Sequence, residues 1–160
     1  MADVTRGEVE DFLFYEAALL DDWETLAWAD LYTEDAEYLI PPIDDPQADK
    51  RAALFVINDD HHRLMQRAKR LTRRTAHAEF PHSKIRHMIS NVRILEQDDA
   101  GLLVASNQVV YRAKRQLLDT YVCHMVHRLA KQDGGLKIRS KRVMLDLDNL
   151  RPHGMVSIIL

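Results

Sequence analysis

Apolar residues recur at helical spacing at the start of the chain. Thr5 and Glu8 have the spacing of a capping box, in which each side chain accepts a hydrogen bond from the backbone of the other residue. The apolar positions that follow return every three or four residues: Val9, Phe12, Leu13, Ala17 and Leu20. This period places them on one stripe of a helix, which we expect to pack against a core.

A second cap signal follows at Asp21 and Glu24, and its apolar residues continue to Leu31. We therefore predict a helical hairpin that ends in a turn at residues 33–35. The next stretch, residues 36–40, predicts a short strand. Two consecutive prolines stop it, because proline donates no hydrogen bond to a sheet.

The middle of the chain predicts a strand and a third helix. Residues 51–57 fit a strand, and Asn58, Asp59 or Asp60 can cap a helix that ends near Leu71. The outer face of this helix is basic, and its cations are Arg63, Arg67, Lys69, Arg70, Arg73 and Arg74. Such a cluster suits a nucleic acid, but it lacks interleaved aromatic residues, so we favour protein docking or a solvated face.

From Arg86 onward the hydrophobic period changes to two, as in strands. The predicted strands cover residues 86–94, 102–112, 120–130 and 136–147, with turns between them. Helices followed by a long meander predict an α+β fold, in which N-terminal helices pack on one face of a curved, mostly antiparallel sheet. We predict one domain over residues 1–160, with a helical part at 1–35 and a sheet part at 36–160 that contains one further helix near 60–71.

Composition narrows the class of protein. The 160 residues include 46% hydrophobic and 29% charged residues, which is typical of a folded domain. The longest apolar runs are far below the roughly 20 residues that cross a bilayer, and the first residues do not read as a signal peptide. A single cysteine, Cys123, excludes an internal disulfide, a CxxC redox pair and the Cys-plus-His ligand set that an iron–sulfur cluster requires. We expect a cytoplasmic location, with neither a membrane nor a nucleic acid as partner.

Charge is divided unevenly along the chain. The net charge is −3, but residues 1–49 contain 15 acidic residues against Arg6 alone and carry −14, which leaves +11 for residues 50–160. Two interpretations remain open. One is an acidic helical surface beside basic strands, and the other is a chain that docks head to tail or onto a charged partner.

The residue types that carry chemistry form no strong motif. The sequence has no G-x-S-x-G elbow and no phosphate-binding loop, and Cys123 lies in an apolar strand. His124 and His127 are three apart, which points their rings to opposite faces of a strand. Another set lies in or beside a charged connection: His77, His82, His87 and Glu79. A two-histidine, one-carboxylate iron site could be assembled from this set, but nothing in the spacing favours one.

One enzymatic interpretation stays open. Helices over a curved sheet can enclose a cone-shaped cavity, in which a stand-alone dehydratase or isomerase would use an acid and a base. The candidates are Tyr38, His87, Tyr111 and His124. The alternative is that these are core polar residues with satisfied hydrogen bonds.

Several stretches together resemble one known family. The most specific is residues 86–94, which read Arg-His-Met-Ile-Ser-Asn-Val-Arg-Ile, and residues 9–21 and 28–41 look like the helices, acidic turn and first strand that precede it. The likeness extends through residues 137–143 to the apolar tail at 155–160. The chain thereby resembles the small (β) subunit of bacterial aromatic-ring-hydroxylating dioxygenases, the Rieske-type non-haem iron oxygenases.

The resemblance implies a fold, a role and a set of partners. The fold would be the cone-shaped, nuclear-transport-factor-like (cystatin-like) one. The chain would be a non-catalytic assembly subunit that supports dihydroxylation of an aromatic compound. The Rieske [2Fe–2S] cluster, the mononuclear iron and the substrate pocket would belong to the large (α) subunit, with no cofactor on this chain. The chain would form a homotrimer within a complex of three α and three β subunits.

The strand at residues 86–94 also predicts an interface. Strict alternation would place Met88, Ser90, Val92 and Ile94 on one face, and His87, Ile89, Asn91, Arg93 and Leu95 on the other. We expect the second, mixed face to be buried between chains beside the strand at 136–147. The residues expected to bond across it are Arg86, His87, Asn91 and Arg93. The alternative is that this face lines the cavity.

Overall fold

The described part of the chain contains helices first and long strands afterwards. The computed structural model describes residues 2–73, 81–148 and 156–160. Its elements are α1 Arg6–Asp21, α2 Thr25–Ala29, β1 Tyr32–Ile40, β2 Ile57–Asp60, α3 His61–Leu71, β3 Lys84–Gln97, β4 Gly101–Lys114, β5 Leu117–Gln132 and β6 Gly135–Leu145. None of the helices in these ranges combines the length and the apolar character needed to span a bilayer.

The six strands form one open sheet in the order β2-β1-β6-β5-β4-β3. All neighbours are antiparallel except β1 and β6, which run parallel. Short turns connect β3 to β6 in succession, so each of these strands lies beside the one before it. β3 is therefore an edge strand that pairs with β4, and the expectation that it would lie beside the strand at 136–147 is wrong.

The first helix forms as its sequence predicts. The Glu8 backbone N–H donates to Thr5 Oγ1 at 3.3 Å, and the Thr5 backbone N–H donates to Glu8 Oε2 at 2.8 Å. This reciprocal cap satisfies two N–H groups at the helix start. The buried stripe of α1 faces the sheet, and it contains Val9, Leu13, Glu16, Ala17 and Leu20.

The boundary between the helical part and the sheet part differs from the prediction. α2 has five residues, and Glu24 precedes it without a side-chain cap. The predicted turn at residues 33–35 lies inside β1, which begins at Tyr32. The Tyr32 ring packs edge to face on Trp28, with centroids 4.9 Å apart, and burial of this pair starts the strand early. The helical part therefore ends before residue 35.

The third helix was predicted more closely than the strand before it. Residues 51–56 lie outside β2, which takes only Ile57 from the predicted strand. Asp60 is the cap of α3, because its Oδ1 accepts from the Arg63 N–H at 2.9 Å. Asp59, another of the candidates, instead forms a bidentate pair with Arg67.

Candidate functional site

The interior of the cone holds a buried polar cluster. Glu16 on α1 accepts from Lys141 Nζ at 2.8 Å through Oε1 and lies 3.2 Å from His127 Nε2 through Oε2. The Trp28 indole N–H also donates to Glu16 Oε1, at 3.1 Å. Glu16, His127 and Lys141 are each at most 3% exposed. One carboxylate thus joins α1 to α2, β5 and β6.

Mutual neutralisation keeps this cluster charged in an apolar interior. Burial would raise the pKa of Glu16, but the Lys141 ammonium and the His127 hydrogen bond outweigh burial and hold that pKa far below its ordinary value. The pKa of Tyr32 is raised, first by burial and then by the Glu16 charge. Tyr32 Oη and His127 Nδ1 are buried atoms without a hydrogen-bond partner among the described residues.

Sequence reasoning missed this cluster because a strand irregularity hides it. Basic residues alternate along β6 and suggest one exposed face, but the β5–β6 register shifts between Arg128 and Leu129. Residue 139 is exposed, whereas Lys141 points inward. A single acid at a core position of the α1 stripe, Glu16, was the available signal, because a buried charge requires a partner.

The chain's own C-terminal tail fills another part of the interior. Ile158, Ile159 and Leu160 are buried. His87 Nε2 lies 2.8 Å from the Ile159 carbonyl oxygen, and Tyr38 Oη accepts from the Leu160 N–H at 3.1 Å.

Asp21 orients His87 in this arrangement. One carboxylate oxygen, Asp21 Oδ1, lies 2.7 Å from His87 Nδ1 and accepts from the His87 backbone N–H at 2.9 Å. The side chain of His87 has no exposed surface. It is a satisfied core residue, so it has no free atom with which to bond to another chain.

The four cavity candidates do not come together. Tyr38 and His87 lie inside, but Tyr111 is 40% exposed and His124 pairs with Asp146 at the surface, at 2.9 Å. Alternation explains the separation, because the neighbours of Tyr111 and His124 on their strands are the residues that point inward. The grouping of all four in one acid–base cavity is wrong.

A bulge in β3 changes the faces predicted for its residues. Asn91 has a φ of 52°, and the register with β4 shifts between Ser90 and Arg93, so two residues of β3 oppose one of β4. Before the bulge His87 points inward, and after it Val92 does. The prediction that Met88 and Val92 share a face is therefore wrong.

The bulge brings Arg93 to the outer face of the sheet, where Arg86 and Met88 already lie. The exposed Asn91 lies between them at the bulge itself. Three of the four interface candidates are thus accessible, and His87 is not.

Apolar residues accompany these arginines across the outer face of the sheet. Met88, Val109 and Val122 form one row of paired positions on β3, β4 and β5, with Met88 58% and Val122 41% exposed. Arg86 and Tyr111 belong to the next row. We call this surface, defined by Arg86, Met88, Arg93, Tyr111 and Val122, the outer patch. Aromatic, Met and Arg residues together are the types enriched at protein interfaces.

The basic face of α3 is a separate surface. Arg67 turns inward to Asp59, with Nε 2.6 Å from Oδ2, and this pair fixes which side of the helix faces solvent. The exposed cations in the described part of the helix and just after it are Arg63, Lys69, Arg70 and Arg73. Arg74 lies outside the described residues.

The described residues contain no group of three His, Cys, Asp or Glu side chains placed to hold a metal. His82 stacks on Trp23, with ring centroids 4.1 Å apart, and His77 and Glu79 lie outside the described ranges. Burial raises the pKa of the Cys123 thiol to about 11. One buried, protonated thiol does not fit a Rieske cluster, which requires two cysteine thiolates.

Comparisons with known proteins place this architecture in a family. The family model described as "Ring hydroxylating beta subunit" matches residues 15–152. The chain belongs to this family of β subunits. The β subunit is 50% identical over 160 residues to the small oxygenase component of the p-cumate 2,3-dioxygenase system of Pseudomonas putida, an alignment that covers 99% of this chain and 89% of that protein.

Two solved structures are similar to this β subunit. The β subunit of benzoate 1,2-dioxygenase from Burkholderia mallei superposes with a TM-score of 0.79 at 25% identity, over 91% of this chain and 93% of that one. Naphthalene 1,2-dioxygenase with indole bound gives 0.81 at 20% identity, over 97% and 85% of the two chains. These likenesses confirm the predicted α+β cone fold and the resemblance.

Membership of the family also shows which kind of complex the β subunit belongs to. A β subunit of this family is part of an aromatic-ring-hydroxylating dioxygenase, which is an oxidoreductase complex. A small oxygenase component implies a large oxygenase partner.

Proposed function

We propose that this β subunit is a non-catalytic assembly subunit that holds the large subunits of its dioxygenase in register. The observation that carries this proposal is the contrast between a closed interior and an accessible outer patch. Tyr38 and His87 are occupied by the chain's own tail, whereas Met88, Tyr111 and Val122 remain exposed beside two arginines.

The proposed complex contains three copies of this chain and three large subunits, in the cytoplasm. The division of charge supports a three-fold arrangement, because a chain with −14 in residues 1–49 and +11 in residues 50–160 can pair unlike surfaces of neighbouring copies. Contacts between unlike surfaces close into a ring when the rotation between neighbouring copies returns to the first copy. Arg86, Asn91 and Arg93 are proposed to bond across the interface.

The cofactors of the proposed complex belong to the large subunit. A Rieske centre needs two cysteines and two histidines, and the 160 residues contain one cysteine. We propose that the Rieske cluster and the mononuclear iron both lie on the large chain. This chain's contribution is then to position the large subunits.

We propose the substrate class from the similarity to the p-cumate dioxygenase component. At 50% identity to a p-cumate 2,3-dioxygenase component, the complex is proposed to dihydroxylate p-cumate or a similar aromatic carboxylate. The substrate pocket would lie on the large subunit.

The test is co-expression with the large oxygenase subunit from the same genome, followed by light scattering and a p-cumate oxidation assay. Charge reversal in Arg93→Glu would leave its partner unpaired and cost about 2–5 kcal/mol of association. Arg70→Glu makes the same change on the exposed face of α3 and is the matched control. Loss of assembly in Arg70→Glu but not in Arg93→Glu would assign the contact to α3 instead, and an unassembled wild-type pair would contradict the proposal.

A further inference from the structure

The last three residues of the chain are held by apolar burial and by directed hydrogen bonds, as a small molecule is in a binding site. Their side chains are buried, and two side-chain groups on different elements contact their backbone. Tyr38 on β1 contacts Leu160, and His87 on β3 contacts Ile159.

His87 presents a donor to the tail. Its two ring nitrogens both face oxygen acceptors, namely the Asp21 carboxylate at 2.7 Å and the Ile159 carbonyl at 2.8 Å. The Ile159 carbonyl oxygen can only accept, so His87 Nε2 donates to it. Asp21 orients the ring so that Nε2–H points toward the tail.

Tyr38 supplies a second polar group. Its hydroxyl accepts from the Leu160 N–H at 3.1 Å and lies 3.4 Å from the Leu160 carbonyl oxygen, to which it can donate. Two donors, from His87 and Tyr38, therefore face consecutive carbonyl oxygens of the tail. A carboxylate or a ketone likewise offers an acceptor oxygen to such donors.

Apolar walls complete the site. A narrow crevice, with no room for a water molecule while the tail is in place, borders Ile159. Its other lining residues are Leu20, Trp23, Thr25, Leu71 and Ile85. A mostly apolar crevice with a few directed polar groups is the usual form of a small-molecule site.

We propose that the cone interior contains a binding site for a small apolar molecule that bears a carboxylate or carbonyl group, and that residues 158–160 occupy this site as an internal ligand. Displacement of the tail opens the site. The site lies within this chain, so the proposal does not depend on the large subunit or on the proposed function.

The test compares the full chain with a form that ends at Ser157, using sodium benzoate and toluene as probes. Benzoate carries acceptor oxygens and an apolar ring, and toluene carries only the ring. We expect the shortened chain to bind benzoate at least about tenfold more tightly than the full chain, measured by calorimetry. A pentapeptide with the sequence of residues 156–160 should compete with benzoate.

Tyr38→Phe in the shortened chain is the matched control, because it removes one hydroxyl. Benzoate binding should weaken in this variant by about tenfold, while toluene binding stays the same. If benzoate and toluene bound with equal affinity, the polar groups would contribute nothing to binding. The site would then be only an apolar void, and the proposal would be overturned.

A second variant keeps the test decisive if the shortened chain fails to fold. Full-length Ile159→Ala/Leu160→Ala keeps all 160 residues and removes only apolar tail contacts. Benzoate should raise its melting temperature but not that of the wild type, because a ligand that binds the folded state stabilises it. A folded variant that responds to neither benzoate nor the pentapeptide contradicts the proposal.

Discussion

The interior cluster and the outer patch use charged residues in opposite ways. Inside, Glu16 binds Lys141 and faces His127 at the junction of two helices and two strands. Outside, Arg86 and Arg93 lie at the surface beside exposed apolar residues. The interior charges are satisfied within the chain, whereas those of the outer patch remain available to another chain. A substitution in the first region should affect folding, and one in the second should affect assembly.

The largest expected effect comes from breaking the interior cluster. Glu16→Gln removes the carboxylate and leaves the buried Lys141 ammonium without its counter-charge. We expect it to lower the free energy of unfolding by about 3–5 kcal/mol, measured by urea denaturation. Glu10→Gln, at the exposed Arg6–Glu10 pair of the same helix, should change stability little. Equal effects of the two variants would contradict a structural role for the cluster.

Removing both partners should be much less harmful than removing one. Glu16→Leu/Lys141→Met replaces the ion pair by apolar side chains of similar size, which proteins often tolerate without loss of stability. We expect its unfolding midpoint in urea to lie closer to the wild type than that of Glu16→Gln. A double variant that is less stable than Glu16→Gln would show that His127 and the Trp28 N–H, which also lose their acceptor, depend on Glu16 more than Lys141 does.

The outer patch should give a smaller effect, and on association alone. Met88→Ala/Val122→Ala removes two exposed apolar side chains, and we expect each to weaken assembly by about 1 kcal/mol or more if it lies at the centre of an interface. The unfolding free energy of the isolated chain should change by less than about 0.5 kcal/mol per residue. Light scattering and urea denaturation on the same samples separate the two quantities. A stability loss without an assembly defect would place these residues in the core.

Acid should weaken the interior cluster. The pKa of Glu16 is lower in the folded chain than its ordinary value of 4.5, so its contribution is fully present above about pH 4.5 and is lost as the pH falls toward the folded value. We expect the wild type to lose stability below this pH more steeply than Glu16→Leu/Lys141→Met. Parallel curves of unfolding free energy against pH would contradict the assignment.

The smallest effect concerns Cys123. With a pKa raised to about 11 by burial, only about 0.1% of the thiol is ionised at pH 8. We expect iodoacetamide to leave Cys123 unmodified in the folded chain and to alkylate it in urea, as measured by mass spectrometry. Rapid alkylation of the folded chain would show that β5 opens readily.

The sequence predicts the regular elements well and their interruptions poorly. The capping box of α1 and the period-two strands depend on neighbouring residues, so a local pattern contains the information. The bulge at Asn91 and the register shift beside Leu129 depend on how two strands pair, which no local period reports. Those two irregularities hid that His87 and Arg93 lie on opposite faces of β3 and that Lys141 points inward. Glu16 could have been suspected from its place in an apolar stripe, but Lys141 and His127 lie more than 100 residues away from it.

The bulge at Asn91 has a consequence for the subunit before it meets a partner. β3 is a 14-residue strand at the edge of the sheet, and a flat edge of that length can add a strand from a second copy, which then adds a third. A left-handed residue in its middle and a second register shift after Ile94 twist the edge and interrupt its row of hydrogen-bonding groups. The bulged edge is therefore a poor template for a strand of a second copy.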